Sequence, residues 1–365
     1  MSPMSRLLCL VLLPMALGAE PKTKHVILMT TDGLRPQEVF TGADPALLNK
    51  AHGGVADVEK IKAAYWRDTP EARREALLPF FWGTVAKQGQ VYGNAALGSP
   101  ATVTNGKKFS YPGYSEMLVG RGDPRIDSND KVPNPNVTVL EWLNRKPAFT
   151  GKVAAFSGWD VLDSIVNQPR GQIYSNGGWL EVSGDDLTPQ ERLLNRLIRD
   201  VSRRWADCRD DAITFPLALE HLRKKHPRVL FVLQGDTDEH AHHGRYDLVL
   251  DSAHDFDADL KTLWDAVQAD PEYRDSTSLI VLTDHGRGDA PDAWKHHGAK
   301  IDGAENIWIG VLGPDTPPLG ERSNVAVTQS QVAATLAALL GEDFRADFPE
   351  AAPPIADAIA PAKTP

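Results

Sequence analysis

The segment Thr237–Asp247 concentrates three histidines and three acidic residues within eleven positions. An aspartate and a histidine four residues apart lie on the same face of a helix, where both can bind one divalent cation. Together with the two residues before it, the segment contains two such pairs, Asp236 with His240 and Asp238 with His242. Because their spacing is identical, it does not decide which pair binds a cation. The alternatives to such a site are a solvated polar face and a histidine-rich metal-binding protein.

Further candidate ligands lie at the ends of short apolar runs elsewhere in the chain. The run 25–30 leads into Asp32, the run 278–282 leads into Asp284-His285, and the run 228–233 leads into the histidine-rich segment. Apolar runs of this length predict buried strands. A helix N-cap is the alternative role for a single aspartate after a strand. Three strand ends with acids, two of them with histidines close behind, favour a common site instead.

A candidate nucleophile comes from the segment 108–120. It looks like a turn that runs into a helix, with Ser110 near the N-cap and Pro112 in the first turn. A helix N-terminus presents free N–H groups and the positive end of the helix dipole, which favour a bound phosphate. A serine that only caps the helix is the alternative.

Amphipathic stretches separate the apolar runs, notably 247–267 and 327–340, and a further run at 306–312 predicts another strand. Alternating strands and helices predict an α/β fold with a mostly parallel central sheet flanked by helices on both faces. In such sheets ligands bind outside the carboxyl ends of the strands. The predicted organisation is a signal peptide at 1–19, a metal-binding domain at 20–345 and a Pro/Ala-rich tail at 346–365, loosely packed at its end. Within the domain, residues 120–227 are expected to combine core strands with a cap or insertion.

The N-terminus predicts export, to the periplasm or out of the cell. Arg6 precedes an apolar run at 7–17 that is too short to span a bilayer, followed by small residues suited to cleavage. After removal of this signal peptide, no stable membrane insertion is expected. An uncleaved membrane anchor is the alternative. Cys9 would leave with the signal, so Cys208 would be the only cysteine and no internal disulfide could form.

A net charge of −10 argues against a nucleic acid polymer as the main partner. The charge leaves a small phosphorylated substrate possible, because bound metal changes the local charge.

The order of the motifs resembles the alkaline phosphatase superfamily, and within it the type I phosphodiesterase/nucleotide pyrophosphatase branch. The resemblance extends from about residue 25 to residue 340, with a poorly matched middle, and rests on Asp32-Gly-Leu-Arg35, Ser110-Tyr-Pro112, Thr237–His242, Thr283–Gly286 and His297-Gly298. It implies two bound divalent cations. One would be held by Asp32, Ser110, Asp284 and His285, and the other by Asp238, His242 and His297.

The resemblance also ranks the alternatives that spacing left open. Family members have a small residue before the ligand histidine, as Ala241 precedes His242, which favours Asp238 with His242. The glycine that follows His297 favours it over His296.

The implied activity is hydrolysis of small-molecule phosphate esters, by a phosphatase or a phosphodiesterase. Ser110, deprotonated by its metal, would attack phosphorus and form a phosphoseryl intermediate. The mixed nitrogen and oxygen ligands suit Zn²⁺ first, with Mn²⁺ as the alternative.

Two departures from the family pattern leave the preferred substrate open. Tyr114 stands where sulfatases have arginine, which weakens the alternative of a sulfatase-like ester hydrolase. Gly113 stands where phosphodiesterases often have asparagine, so substrate contacts cannot be inferred there. The choice among monoester, diester and sulfate, the oligomeric state and the role of Cys208 are likewise left open.

Overall fold

The computed structural model describes residues 21–359, so the predicted signal peptide at 1–19 and the last residues of the tail lie outside the described part of the chain. The strands are β1 His25–Thr31, β2 Gln90–Tyr92, β3 Ala101–Thr102, β4 Val153–Ser157, β5 Tyr174–Asn176, β6 Val229–Gln234, β7 Thr277–Leu282, β8 Asn306–Ile307, β9 Ile309–Leu312, β10 Gly320–Glu321 and β11 Val327–Thr328.

The helices cover both faces of the main sheet. They are α1 Pro36–Thr41, α2 Lys50–Gly53, α3 Val58–Tyr65, α4 Pro70–Leu77, α5 Ala86–Gln88, α6 Ser110–Val119, α7 Val139–Asn144, α8 Leu162–Ile165, α9 Gln168–Gly171, α10 Pro189–Asp200, α11 Asp211–Lys225, α12 Asp236–His242, α13 Tyr246–Ala269, α14 Val332–Leu339 and α15 Phe344–Asp347.

Eight strands form the main sheet in the order β10-β2-β9-β7-β1-β6-β4-β5, and a small sheet has the order β11-β3-β8. In the main sheet β9 runs antiparallel to both of its neighbours, and all other pairs are parallel. The predicted mostly parallel α/β fold is therefore confirmed. The register pairs Thr31 with Gln234 and Thr30 with Leu282, so β1, β6 and β7 end at the same edge.

The core consists of two apolar layers, one on each face of this sheet. In β1, Ile27 and Met29 belong to one layer, whereas Val26 and Leu28 belong to the other. Side chains alternate because successive residues of a strand point to opposite faces. A strand buried on both faces needs a continuous apolar run, which is the pattern found in the sequence.

Two of the predicted elements differ in their bounds from the observed ones. The predicted helix at 327–340 begins only at Val332, because Val327 and Thr328 pair with β3. The predicted strand at 306–312 is divided between two sheets as β8 and β9, with the buried Trp308 between them. The predicted helix at 247–267 corresponds to α13.

The segment 120–227, where a cap or insertion was predicted, contributes β4 and β5 to the edge of the main sheet, together with α10 and α11. The described part of the tail packs against the core through Ala351, Ile355 and Ala358. In residues 21–359 no helix combines the length and apolarity needed to cross a membrane.

Candidate active site

The ends of β1 and β7 hold two acidic residues against each other. Asp32 follows β1 directly, and its N–H donates to Gln234 O at 2.9 Å. Gly33 then turns the chain with a φ of +62° and donates its N–H to Asp284 Oδ1 at 3.1 Å. A Cβ at Gly33 would lie 2.8 Å from Asp238 Oδ1, so the glycine permits the close approach of the three carboxylates.

His285 lies fully buried among these carboxylates. Its Nδ1 is 2.9 Å from Gly286 O. Because a carbonyl oxygen only accepts, Nδ1 carries a proton, and Nε2 is the nitrogen that faces the site. That Nε2 lies 3.2 Å from Asp32 Oδ1 and 3.4 Å from Asp284 Oδ2. A histidine with one ring nitrogen fixed by a backbone carbonyl and the other facing carboxylates is typical of metal-binding histidines.

A second cluster adjoins the first through Asp238, in the first turn of α12. His242, one turn later, places Nε2 3.1 Å from Asp238 Oδ2. His297 comes from the loop after β7, with its Nε2 3.7 Å from Asp238 Oδ1 and 2.9 Å from His242 Nε2. Two groups can therefore hold an ion: Asp32, Asp238 and His285, and next to it Asp238, His242 and His297.

The electrostatics of the cluster fit a bound cation. Burial, and the nearby Asp238 charge, raise the pKa of Asp32 well above its usual value, and burial and the Asp32 charge do the same for Asp284. Burial and the neighbouring His285 lower the pKa of His297 to about 2, so this ring is neutral. Asp32 Oδ1, Asp284 Oδ2 and His297 Nδ1 are buried without a hydrogen-bond partner among the described residues. Buried acceptors without partners are costly unless a cation or water satisfies them.

The other aspartate–histidine pair of this segment has different partners. Asp236 Oδ1 accepts the N–H of Asp211 at 3.3 Å, and Asp211 in turn accepts the N–H groups of Gly235 and Asp236, both at 2.9 Å. Each acid thus satisfies N–H groups at the start of the other helix. His240 lies against Trp205 and Arg204 instead of a carboxylate.

Ser110 is the first residue of α6 and lies in the same cluster. The N-cap position belongs to Phe109, so Ser110 does not have the capping role considered as its alternative. Its side chain is buried, with Oγ 3.3 Å from His285 Nε2. A Cβ at Gly113 would lie 2.5 Å from Asp284 O, which shows how closely α6 packs on the end of β7. All seven predicted site residues therefore lie together, whereas His296 is exposed.

Three further residues of the site were not predicted. Arg287 is buried and forms an ion pair with Asp238. It also donates to Lys295 O at 2.8 Å, which links α12 to the loop that carries His297. Burial disfavours ionisation of Asp238, but the positive charge of Arg287 and the hydrogen bond with His242 outweigh it and lower the pKa of Asp238.

The other two belong to α6 and to the loop that follows it. Tyr114 donates its hydroxyl to Asp32 Oδ2 at 2.9 Å. Asn129 Oδ1 accepts the N–H of Tyr111 at 3.0 Å, next to Ser110. Tyr114 stands one helical turn from Ser110, a spacing that could have indicated a shared face. The irregular loop of Asn129 offered no comparable signal.

A cavity of ≈ 300 Å³ opens beside Ser110, Asp32 and Asp238. Its outer wall includes Asn129, Trp159 and Asp207. Lys131 and Asp160, also in the wall, form an ion pair at 2.6 Å. The cavity gives a small molecule access to the serine and to the clustered carboxylates.

The chain is similar to one known protein family in sequence and to several solved structures in fold. The sequence profile of the family described as type I phosphodiesterase / nucleotide pyrophosphatase matches residues 34–306. A search of curated proteins gives no match.

Several solved structures share the fold. Wild-type alkaline phosphatase PafA has a TM-score of 0.60 and 11% identity over 93% of this chain and 99% of its own. Ps i-CgsB in complex with k-i-k-neocarrahexaose has a TM-score of 0.55 and 17% identity over 92% and 75%. The lipoteichoic acid synthase LtaP from Listeria monocytogenes has a TM-score of 0.53 and 12% identity over 90% and 74%. At these identities the likeness establishes the fold alone.

Proposed function

The chain belongs to the type I phosphodiesterase / nucleotide pyrophosphatase family, and from that premise we propose that Ser110 is its nucleophile and that two divalent cations activate it. Family membership confirms the resemblance inferred from the motifs, and it makes the chain a phosphoric ester hydrolase. The ligand set, the metal and the phosphoseryl step are the finer parts of the proposal.

The observation that carries the proposal is the position of Ser110 Oγ, 3.3 Å from the His285 Nε2 that also faces Asp32 and Asp284. We assign Asp32, Ser110, Asp284 and His285 to one cation and Asp238, His242 and His297 to the other. Asp238 belongs to both of the groups that can hold an ion, so its carboxylate lies between the two sites. Mixed nitrogen and oxygen donors favour Zn²⁺, with Mn²⁺ as the alternative.

Bound divalent cations would lower the pKa of the serine hydroxyl and stabilise charge on the phosphate oxygens. Ser110 Oγ then attacks phosphorus, and the bond from phosphorus to the leaving alcohol oxygen breaks. Water hydrolyses the phosphoseryl group, which returns the hydroxyl to Ser110 and releases the phosphate product.

Asn129 supplies a hydrogen-bond donor that the start of α6 lacks. The Tyr111 N–H is already bonded to Asn129 Oδ1, Pro112 has no N–H, and the Gly113 N–H donates to Phe109 O. Few backbone donors of the first turn remain for a phosphate. Since Oδ1 accepts from Tyr111, the Asn129 carboxamide is oriented and Nδ2 is left for a phosphate oxygen. Asn129 would thus take the place of the asparagine that phosphodiesterases often have at the position of Gly113.

The proposed substrate is a small phosphate ester that enters through the cavity beside Ser110. Export depends on the predicted signal peptide. The sulfatase alternative is disfavoured because Tyr114, at the position of the sulfatase arginine, instead bonds to Asp32.

The direct test is Ser110→Ala, with Ser115→Ala as the matched control. Ser115 lies on the same helix, is also buried, and accepts a hydrogen bond from Asn134 at 3.1 Å away from the cluster. We expect Ser110→Ala to lower kcat on a nitrophenyl phosphate ester by more than about a thousandfold, because the nucleophile is lost. Both variants should still bind two metal ions. A Ser110→Ala enzyme that keeps its activity would rule out the nucleophile.

A further inference from the structure

The hydroxyl of Tyr114 lies in the buried part of the site, against one oxygen of Asp32. The side chain is fully buried, and the hydroxyl donates to Asp32 Oδ2 at 2.9 Å. Its ring packs near Phe231 of β6, with 6.3 Å between ring centroids. The apolar contact fixes the ring, so the hydroxyl is held in one position.

The two oxygens of Asp32 consequently have different environments. Oδ2 is occupied by Tyr114, whereas Oδ1 is buried without a hydrogen-bond partner among the described residues. Oδ1 is the oxygen that lies 3.2 Å from His285 Nε2. A hydrogen bond to one carboxylate oxygen restricts rotation about the Cβ–Cγ bond and leaves the other oxygen pointing into the site.

We propose that Tyr114 is a positioning residue that holds the Asp32 carboxylate so that Oδ1 alone faces the metal. The inference rests on the proposed function, because it takes Asp32 as a metal ligand. Hydrogen-bond partners of metal-binding groups orient those groups, and their loss commonly lowers metal affinity by about 10–100-fold. Tyr114 acts through Asp32 and does not touch the reacting atoms.

The same helix therefore serves the site in two ways. Ser110 and Tyr114 are one turn apart and lie on one face of α6, so the helix presents the nucleophile and orients a ligand at the end of β1. An arginine at residue 114 would bring a positive charge into the position that the hydroxyl occupies. A neutral donor orients Asp32 without competing with a cation for its charge.

The test compares Tyr114→Phe with Tyr111→Phe. Both tyrosines lie on α6, both are buried, and each loses only a hydroxyl. The Tyr111 hydroxyl donates to Val132 O at 2.6 Å and to Ser164 O at 3.0 Å, with no contact to Asp32. Phenylalanine keeps the ring and its packing, so both variants should fold, and circular dichroism of the metal-free proteins checks this.

Metal-free protein would be titrated with Zn²⁺ against a chromophoric chelator, with Asp32→Asn in parallel. We expect Tyr114→Phe to weaken one of the two binding events by about 10–100-fold and to leave the other unchanged. Tyr111→Phe should leave both unchanged. If Tyr114→Phe binds both ions like wild type while Asp32→Asn does not, the role of Tyr114 is wrong and the ligand assignment stands. If Asp32→Asn also binds normally, or wild type binds fewer than two ions, both proposals fall.

Discussion

The two halves of the candidate site differ in how far their side chains are exposed. The strand-end half, Asp32, Asp284 and His285, has side chains that are 7%, 0% and 0% exposed. The helix half, Asp238, His242 and His297, has values of 14%, 41% and 12%. The strand-end half is fixed by neighbouring strands, whereas the helix half comes from the short α12 and a loop. Local opening is easier where fewer contacts bury the backbone.

The halves also differ in how their negative charge is compensated. Asp238 is paired with Arg287, and its pKa is lowered. Burial raises the pKa values of Asp32 and Asp284, and the charge of Asp238 adds to the effect on Asp32 as the charge of Asp32 does on Asp284. The strand-end half therefore depends more on a bound cation for its stability, although it is the better shielded half.

The largest effect is expected from Asp284→Asn, which changes the centre of the strand-end half. Activity should fall by about a thousandfold or more, because a lost ligand removes several kcal/mol of transition-state stabilisation. The metal-free variant should nevertheless melt at a higher temperature than metal-free wild type, since asparagine removes the cost of keeping a buried carboxyl group protonated at neutral pH. Scanning calorimetry with and without Zn²⁺ measures the melting temperatures of both proteins.

The difference in melting temperature between the metal-free Asp284→Asn variant and metal-free wild type should depend on pH. A raised pKa means that Asp284 keeps its proton in the folded chain at pH values where the unfolded chain releases it. The contribution of Asp284 to the free energy of unfolding is therefore fully present only below the pKa of aspartate in the unfolded chain, about 3.9. The contribution is lost as pH rises. The melting temperatures of metal-free variant and wild type should diverge from about pH 4 toward neutral pH. If the two melting temperatures instead converge as the pH rises, the proposed contrast between the two halves is wrong.

Metal removal comes next in magnitude. A chelator should remove one ion quickly from the exposed helix half and the other slowly from the strand-end half. Each ion stabilises the folded chain by about 2.7 kcal/mol when present at a hundredfold excess over its Kd. Metal content and melting temperature, followed over time, should therefore fall in two steps. A single step would mean that the halves open together.

His242→Ala and His240→Ala test which histidine of the segment binds metal. His242→Ala should weaken one binding event by more than about 100-fold, because losing a direct ligand costs more than losing an outer partner, for which about 10–100-fold is typical. His240→Ala should leave both binding events intact, because this side chain packs on Trp205. Zn²⁺ titration of the two variants decides between them, and equal losses would contradict the assignment.

The smallest effect is expected from Asp236→Ala, beside the helix half. Its carboxylate accepts the Asp211 N–H at the start of α11, and removing such a cap costs about 1 kcal/mol of stability. Urea denaturation should register this loss while Zn²⁺ affinity stays at the wild-type level. A large loss of metal instead would restore the Asp236–His240 pair as a ligand set.

Features that depend on residues close together in the sequence could be predicted, whereas contacts between residues far apart in the sequence could not. Apolar runs at 25–30, 228–233 and 278–282 were enough to predict the strands, because strands buried on both faces must be continuously apolar. Their shared edge followed from the rule that ligands lie at the carboxyl ends of parallel strands. Residues of β8 and β9 were predicted as one strand, and those of β11 as part of a helix, because neighbouring strands, not local preference, define such short elements.

The sequence by itself thus determined the fold class and predicted that Asp32, Asp284 and the histidine-rich segment lie at one edge of the sheet, since local pattern and parallel topology suffice for that, whereas Ser110 and His297 were added by the family resemblance. Only the tertiary structure revealed the contacts of each side chain. Spacing gave Asp236–His240 and Asp238–His242 equal standing, the resemblance favoured the second pair, and the structure shows that Asp236 contacts Asp211, 25 residues away. The bond from Tyr114 to Asp32 spans 82 residues. Such contacts depend on how α6, α11 and α12 pack on the sheet, which no local periodicity encodes.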